Sequence, residues 1–365
     1  MHRPSSPPEP VDATTAPSPA AASGDPHAVS VSVVMPILNE ERHLEEAVAA
    51  VLAQDHEGPL EVILALGPSR DRTDEIAARL SAADPRVRTV ANPTGATPSA
   101  LNAAIAASGA DIIVRVDGHG VLDRNYVRTA VALLEETGAA NVGGLMDAEG
   151  VTGFERAVAA AMTSPLGVGS SRFHTGGTAG PSDTVYLGVF RREWLTRLGG
   201  YDDRFVRAQD WELNHRIRAA GGLVWFSPSL RVSYRPRATL RALARQYRDY
   251  GRWRRVVARQ HSGTINARYL APPVVLVAVT AGAVGGFFWR PLWALPAGYL
   301  TATTVGGLSL TGVSGRERLW LPAILPTMHL SWGWGFLTSP RSLVPGADRA
   351  EPRVASQQQE APRAH

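Results

Sequence analysis

Three runs of about 20 residues free of Asp, Glu, Lys and Arg, namely Leu270–Trp289, Leu292–Val313 and Leu319–Leu337, fill most of the chain's C-terminal part. A helix of that length crosses a hydrocarbon layer roughly 30 Å thick. Trp289, Trp293, Trp320, Trp332 and Trp334 lie near the ends of these runs, where interface-seeking aromatics sit. Three membrane spans are the simplest count, and buried helices of a water-soluble fold are the competing reading.

Arginine placement sets the expected orientation. All 37 Lys and Arg residues are arginine, and between Arg231 and Arg259 there are ten of them against one acid, Asp249. That stretch directly precedes the first apolar run, as on the cytoplasmic flank of a membrane protein. Arg316 and Arg318 fall on the same side after two crossings, and Arg290 alone faces outward. Arg341, Arg349, Arg353 and Arg363 sit poorly with an outer terminus, so one of the two later runs, both broken by Pro or Gly, is a re-entrant alternative.

Upstream, short β-branched runs alternate with amphipathic segments, which predicts a doubly wound, mostly parallel α/β sheet. Strands are expected at Val29–Met35, Glu61–Leu66, Arg86–Val90, Asp111–Val116, Ala140–Leu145 and Val185–Phe190. Helices are expected at Glu40–Ala53, Asp74–Leu80, Pro98–Ala107 and Asp123–Glu136, with a site-lining loop over Ser164–Asp183. The chain divides into a disordered tail (1–28), the α/β domain (29–230), a basic interfacial segment (231–268), a membrane region (269–339) and a second tail (340–365). Residues 1–28 lack the apolar core of a signal peptide, which leaves the α/β domain on the cytoplasmic side. The absence of cysteine excludes disulfide frameworks, thiolate metal sites and thiol catalysis. A net charge of only +4 argues against a polyanion-coating protein, and the apolar runs make nucleic-acid binding a poor choice.

Four segments carry polar residues where chemistry is expected. Strand one runs into Pro36-Ile37-Leu38-Asn39-Glu40-Glu41, at the carboxyl edge where nucleotides bind open α/β sheets; for this motif alone a plain helix cap by Asn39 is the commoner reading. Asp117-Gly118-His119 ends an apolar strand with a carboxylate and an imidazole that suit Mn²⁺ or Mg²⁺ bridging a diphosphate, or simply make an Asp-Gly turn. Gln209-Asp210-Trp211-Glu212 opens a helix, where Asp210 is either a general base or a dipole-compensating acid. Gln246, Arg252 and Trp253 interleave polar, basic and aromatic groups beside the first apolar run, which suits a diphosphate or a lipid carrier but also plain attraction to anionic headgroups.

Taken in order, these segments resemble the family 2 glycosyltransferases of the GT-A fold over roughly residues 29–259. Val31–Glu40 is similar to the family's first nucleotide-binding strand, Asn92–Gly95 and Ala100-Leu101-Asn102 to the stretch before its metal motif, and Asp117-Gly118-His119 stands where the family has Asp-x-Asp. Arg115–His119, Asp183–Arg192 and Gln209–Leu213 look like the succinoglycan-type exopolysaccharide glucosyltransferase branch. The resemblance implies a membrane-bound inverting transferase that moves a sugar from a nucleoside-diphosphate sugar, such as a UDP-hexose, to a polyprenyl-diphosphate-linked saccharide. It implies Asp210 as base, Asp117 and His119 as ligands of a divalent cation, and Pro36, Asn39, Glu40, Asn92, Asn102 and Asp117 as donor contacts. Gln209, Trp211, Glu212, Gln246, Arg252 and Trp253 are the implied acceptor or diphosphate contacts.

The chain departs from the family pattern in three places. Leu66-Gly67-Pro68-Ser69-Arg70-Asp71 lacks the acid expected directly after strand two, His119 replaces the second metal carboxylate, and Gln209 replaces a Glu, which should ease ionisation of Asp210. The missing acid motivates an alternative from another class, a membrane assembly protein with a degenerate nucleotide-sugar-binding domain and no turnover. A processive synthase is a third reading, with few spans for a channel.

Overall fold

The computed structural model describes residues 29–343, so the expectations for tail 1–28 and for most of tail 340–365 lie outside the described residues. The chain begins with β1 (Val31–Ile37), α1 (Leu44–Leu52), β2 (Leu60–Leu66), α2 (Thr73–Ala83), β3 (Val87–Ala91), α3 (Thr97–Ala107) and β4 (Ile112–Arg115). β5 (Val121–Leu122), α4 (Tyr126–Thr137), β6 (Asn141–Ala148) and α5 (Gly153–Met162) follow. Two single turns, α6 (Pro165–Val168) and α7 (Arg172–Thr175), and the two-residue β7 (Gly180–Pro181) occupy the aperiodic stretch. β8 (Tyr186–Arg191), α8 (Arg192–Leu198), α9 (Gln209–Ala219) and β9 (Val224–Tyr234) complete the α/β domain. Then come α10 (Leu240–Gln260), α11 (Ala267–Gly285), α12 (Ala294–Leu308), α13 (Gly315–Arg318) and α14 (Leu321–Leu337).

The sheet runs β3-β2-β1-β4-β8-β6-β9-β5, with β7 also on β9. β1 pairs parallel with β2 and β4, whereas β8 pairs antiparallel with both β4 and β6, giving the mostly parallel mixed sheet of a GT-A-like fold. β1, β2 and β4 are near-continuous apolar runs because helices cover both faces. Val48, Val51, Ile76, Tyr126 and Leu134 from α1, α2 and α4 pack one face. Leu101, Ala104, Leu195, Leu213 and Ile217 from α3, α8 and α9 pack the other. The carboxyl ends of β1 and β4 therefore open onto one edge, beside the start of α9.

The C-terminal helices depart from three equal spans. Among the described residues only α11 is both long and apolar enough to cross a membrane, with 11% of its most apolar stretch buried. α12 has 15 residues and α14 has 17, so at 1.5 Å per residue each falls short of roughly 30 Å. α14 moreover buries Leu321, Ile324, Leu325 and Met328 against Val158 and Met162 of α5 and Leu243 and Tyr247 of α10. Burial of each such side chain stabilises by about 1.5–3 kcal/mol, which fixes α14 to the α/β domain. Apolar exposure lies instead on α11, its turn into α12 and α12 itself, where Val274, Val277, Val284, Phe287, Phe288, Trp289, Leu300 and Val305 are more than half exposed.

Candidate active site

β4 carries the residue that organises the edge. Arg115 stands in an otherwise apolar strand, and its guanidinium donates 2.9 Å to Asp117 Oδ1 and also to Asp210 Oδ1. The Arg115 side chain is 5% exposed, against 23% for Asp117 and 32% for Asp210, so a buried cation faces two carboxylates on the cleft surface. Asp117, two residues on from Arg115, and Asp210, 95 residues on, thus share one guanidinium. Burial raises the Asp117 carboxyl, but Arg115 and His119 outweigh it and hold it below the ordinary value. At Asp210 burial wins over Arg115 and, with the charge of Asp117, raises the carboxyl above its ordinary value. The sequence predicted easier ionisation of Asp210 beside Gln209, whose side chain is buried at the first position of α9; burial of Asp210 itself raises the carboxyl instead.

His119 Nδ1 lies 2.8 Å from Glu40 Oε1, and that hydrogen bond raises the imidazole's pKa against the opposing effect of burial. Gly118 makes the approach feasible, since a Cβ there would lie 2.8 Å from Glu40 Cγ and 2.9 Å from Ile37 Cδ1. Asp117 Oδ2 and His119 Nε2 have no hydrogen-bond partner among the described residues. The donor set fits a divalent ion otherwise coordinated by diphosphate oxygens and water, with Glu40 orienting the imidazole as carboxylates do behind metal-bound histidines. No cluster of three or more His, Cys, Asp and Glu capable of holding a metal occurs among the described residues.

The β1–α1 loop is tied to the β2–α2 loop. Asn39 adopts a left-handed φ of 56°, accepts from Arg70 N at 2.8 Å through Oδ1, and donates its backbone N–H to Ser69 Oγ at 3.1 Å. Glu40 N donates to Thr73 Oγ1 at 2.7 Å. Asp71, displaced along the loop from the expected acid position, accepts from Thr73 and from Glu41 N. Pro36 lies in β1 opposite Ala65 of β2, one residue before the strand end.

Several other expected contacts are committed to architecture. Asn92 donates to Ala96 O and accepts from Thr94, closing a turn. Asn102 donates to Tyr201 O and accepts from Tyr201 N, both at 2.8 Å, and so ties α3 to the Gly199-Gly200-Tyr201 turn before α9. Glu212 is 1% exposed and bonded to Arg216 at 2.8 Å and His261 at 3.2 Å. Burial alone would raise its carboxyl, yet the bonds from His261 and Arg216 hold it below the ordinary value, as befits a structural ion pair. Trp253 packs with Phe205, Val256 and Val257 in a small core. Trp211 stacks on His215 and on Arg254, whose guanidinium lies 3.9 Å from the centroids of both Trp211 and Tyr269.

Gln246 donates to Tyr234 Oη at 2.6 Å and Tyr250 Oη at 2.9 Å, leaving its buried Oε1 unpaired. Arg252 is half-buried with Nε unpaired and projects from a different face of α10 than Gln246. Sequence reasoning did not assign Arg115, although its signal was present: a charged residue inside Ile-Ile-Val-Arg-Val demands a buried counter-ion.

The arrangement brings a surface carboxylate suited to accepting a proton beside a carboxylate and imidazole suited to a cation. The profile described as "Glycosyl transferase family 2" matches residues 32–199. The succinoglycan biosynthesis protein ExoA of Rhizobium meliloti is 31% identical over 309 residues, covering 83% of this chain and 93% of that protein. A Methanococcus voltae dolichyl N-acetyl-alpha-D-glucosaminyl phosphate 3-beta-D-2,3-diacetamido-2,3-dideoxy-beta-D-glucuronosyltransferase is 22% identical over 322 residues, covering 84% of this chain and 95% of that protein. Among solved structures, the Pyrobaculum calidifontis mannosyltransferase PcManGT, in complex with GDP-Man and Mn²⁺, superposes with a TM-score of 0.59 at 19% identity, covering 87% and 90% of the two chains.

Proposed function

The chain belongs to glycosyltransferase family 2, and from that premise we propose that it moves a hexose from a UDP-sugar to a lipid-linked saccharide, with inversion at the anomeric carbon, in exopolysaccharide or envelope glycan synthesis. The observation that supports the mechanism is the Arg115 bridge, through which Asp117 and Asp210 share one guanidinium. The acceptor hydroxyl oxygen attacks the anomeric carbon as Asp210 takes its proton, and the bond to the nucleoside diphosphate breaks on the opposite side. A general base contributes about 10²–10⁴-fold. The raised pKa of Asp210 makes it a better proton acceptor than a solvated aspartate. A divalent cation, Mn²⁺ or Mg²⁺, bound by Asp117 and His119 would neutralise the departing diphosphate.

The lipid-linked acceptor is supported by the dolichyl substrate in the name of the Methanococcus relative and by the exposed apolar surface of α11. That surface is large for a water-soluble monomer and fits insertion of α11 into the membrane, with the α/β domain on the cytoplasmic side. Nucleic acid is not a partner in this reading. A filled base position favours turnover over the degenerate-domain alternative. The test is a screen of nucleotide sugars on detergent-solubilised protein with a polyprenyl-diphosphate-linked acceptor, followed by mass analysis of the lipid. A mass increment of one hexose that needs divalent cation is the expected product; no increment with any donor, at saturating Mn²⁺ and Mg²⁺, rejects the proposal.

A further inference from the structure

α10 has two unlike faces. Leu243, Gln246, Tyr247, Trp253 and Val257 are buried against the protein, whereas Arg241, Arg245 and Arg248, spaced four and then three residues apart, project together from an exposed face. None of these three guanidinium groups has a carboxylate or hydrogen-bond partner among the described residues. They line one wall of a groove of about 540 Å³ whose other walls are Leu276 of α11 and Leu330, Ser331 and Trp334 of α14.

Three unpaired cations beside an apolar wall match one kind of molecule, an anionic headgroup carried on acyl chains. The groove opens beside α11, the helix long enough to cross a membrane, and lies on the side of α10 away from Gln246 and the cleft. We propose that it is a binding site for an acidic glycerophospholipid, separate from the acceptor site, with the phosphate on Arg241, Arg245 and Arg248 and the chains along Leu276, Leu330 and Trp334. A lipid seated there joins α10 to α11 and α14 and holds the α/β domain at a fixed height on the bilayer. The inference rests on the membrane reading above.

The experiment uses the full chain in mild detergent, titrated with equimolar dioleoyl-phosphatidylglycerol and dioleoyl-phosphatidylcholine and read by native mass spectrometry. Wild type should retain phosphatidylglycerol with at least about tenfold preference, since each basic side chain near an anionic surface contributes substantially. Arg241→Gln/Arg245→Gln/Arg248→Gln should bring the ratio near unity, and Arg245→Gln alone should lower it part way. The charge-matched control Arg124→Gln/Arg128→Gln/Arg197→Gln should keep the wild-type ratio. An unchanged ratio in the groove variants overturns the site. Displacement of phosphatidylglycerol one for one by a polyprenyl diphosphate also overturns it, by assigning the groove to the acceptor. Extraction of the chain from native membranes by alkaline carbonate would instead reject the membrane reading beneath it.

Discussion

Arg115 is the residue on which the site's electrostatics turn, because it is a buried cation whose partners are the two carboxylates to which the proposed mechanism gives roles. Removing one partner of a buried ion pair typically costs 3–5 kcal/mol. Arg115→Met should therefore lower thermal stability and also reduce transfer, whereas Asp210→Asn should reduce transfer far more than stability. With Asp210 as base and its pKa raised, transfer should fall as pH drops through a value above the ordinary 3.8 of aspartate and should plateau above it. A pH profile of kcat whose acid limb lies at or below that value would contradict the assignment. Glu40 holds His119 through a hydrogen bond, so Glu40→Gln should weaken Mn²⁺ binding about 10–100-fold, as measured by titration calorimetry, with little effect on stability. Asp117, His119 and Asp210 were legible in the sequence as motifs, but not Arg115's role, because spacing along a chain does not reveal which buried charge is shared.

At the scale of elements, α9 is the piece that presents the base, and its seat depends on residues with no part in the chemistry. Asn102 fixes the turn before it, and Glu212, paired with Arg216 within α9, binds the helix to His261. Glu212 has a lowered pKa in the folded chain, so its stabilisation is present in full above the ordinary 4.5 and is lost as pH falls through the lower folded value. Glu212→Gln should melt below wild type near neutral pH and approach it under acid conditions; a constant gap across pH would refute the ion-pair account. Strands β1, β2 and β4 were readable because burial on both faces leaves near-continuous apolar runs. α5 and β9 were not, since Phe154–Met162 is dominated by alanine and β9 contains Pro228, so neither carries a clean period.

For the whole molecule, hydropathy alone did not distinguish apolar segments that face lipid from those that face protein. Leu319–Leu337 and Leu270–Trp289 read alike in sequence, yet α14 is packed against α5 and α10 while α11 is exposed. Glycines mediate that docking: a Cβ at Gly335 would collide with the backbone of Arg248, and one at Gly251 with the backbone of Trp332. Gly335→Val should destabilise by about 1–3 kcal/mol or more and lower the denaturation midpoint of the α/β domain itself. Independent melting of domain and helix would show that α14 is not part of its core. The most direct measurement for the account as a whole pairs nucleotide-sugar affinity with single-turnover transfer in Asp210→Asn. The account predicts near-normal donor affinity with transfer reduced at least about 10²-fold, and transfer at the wild-type rate would contradict it.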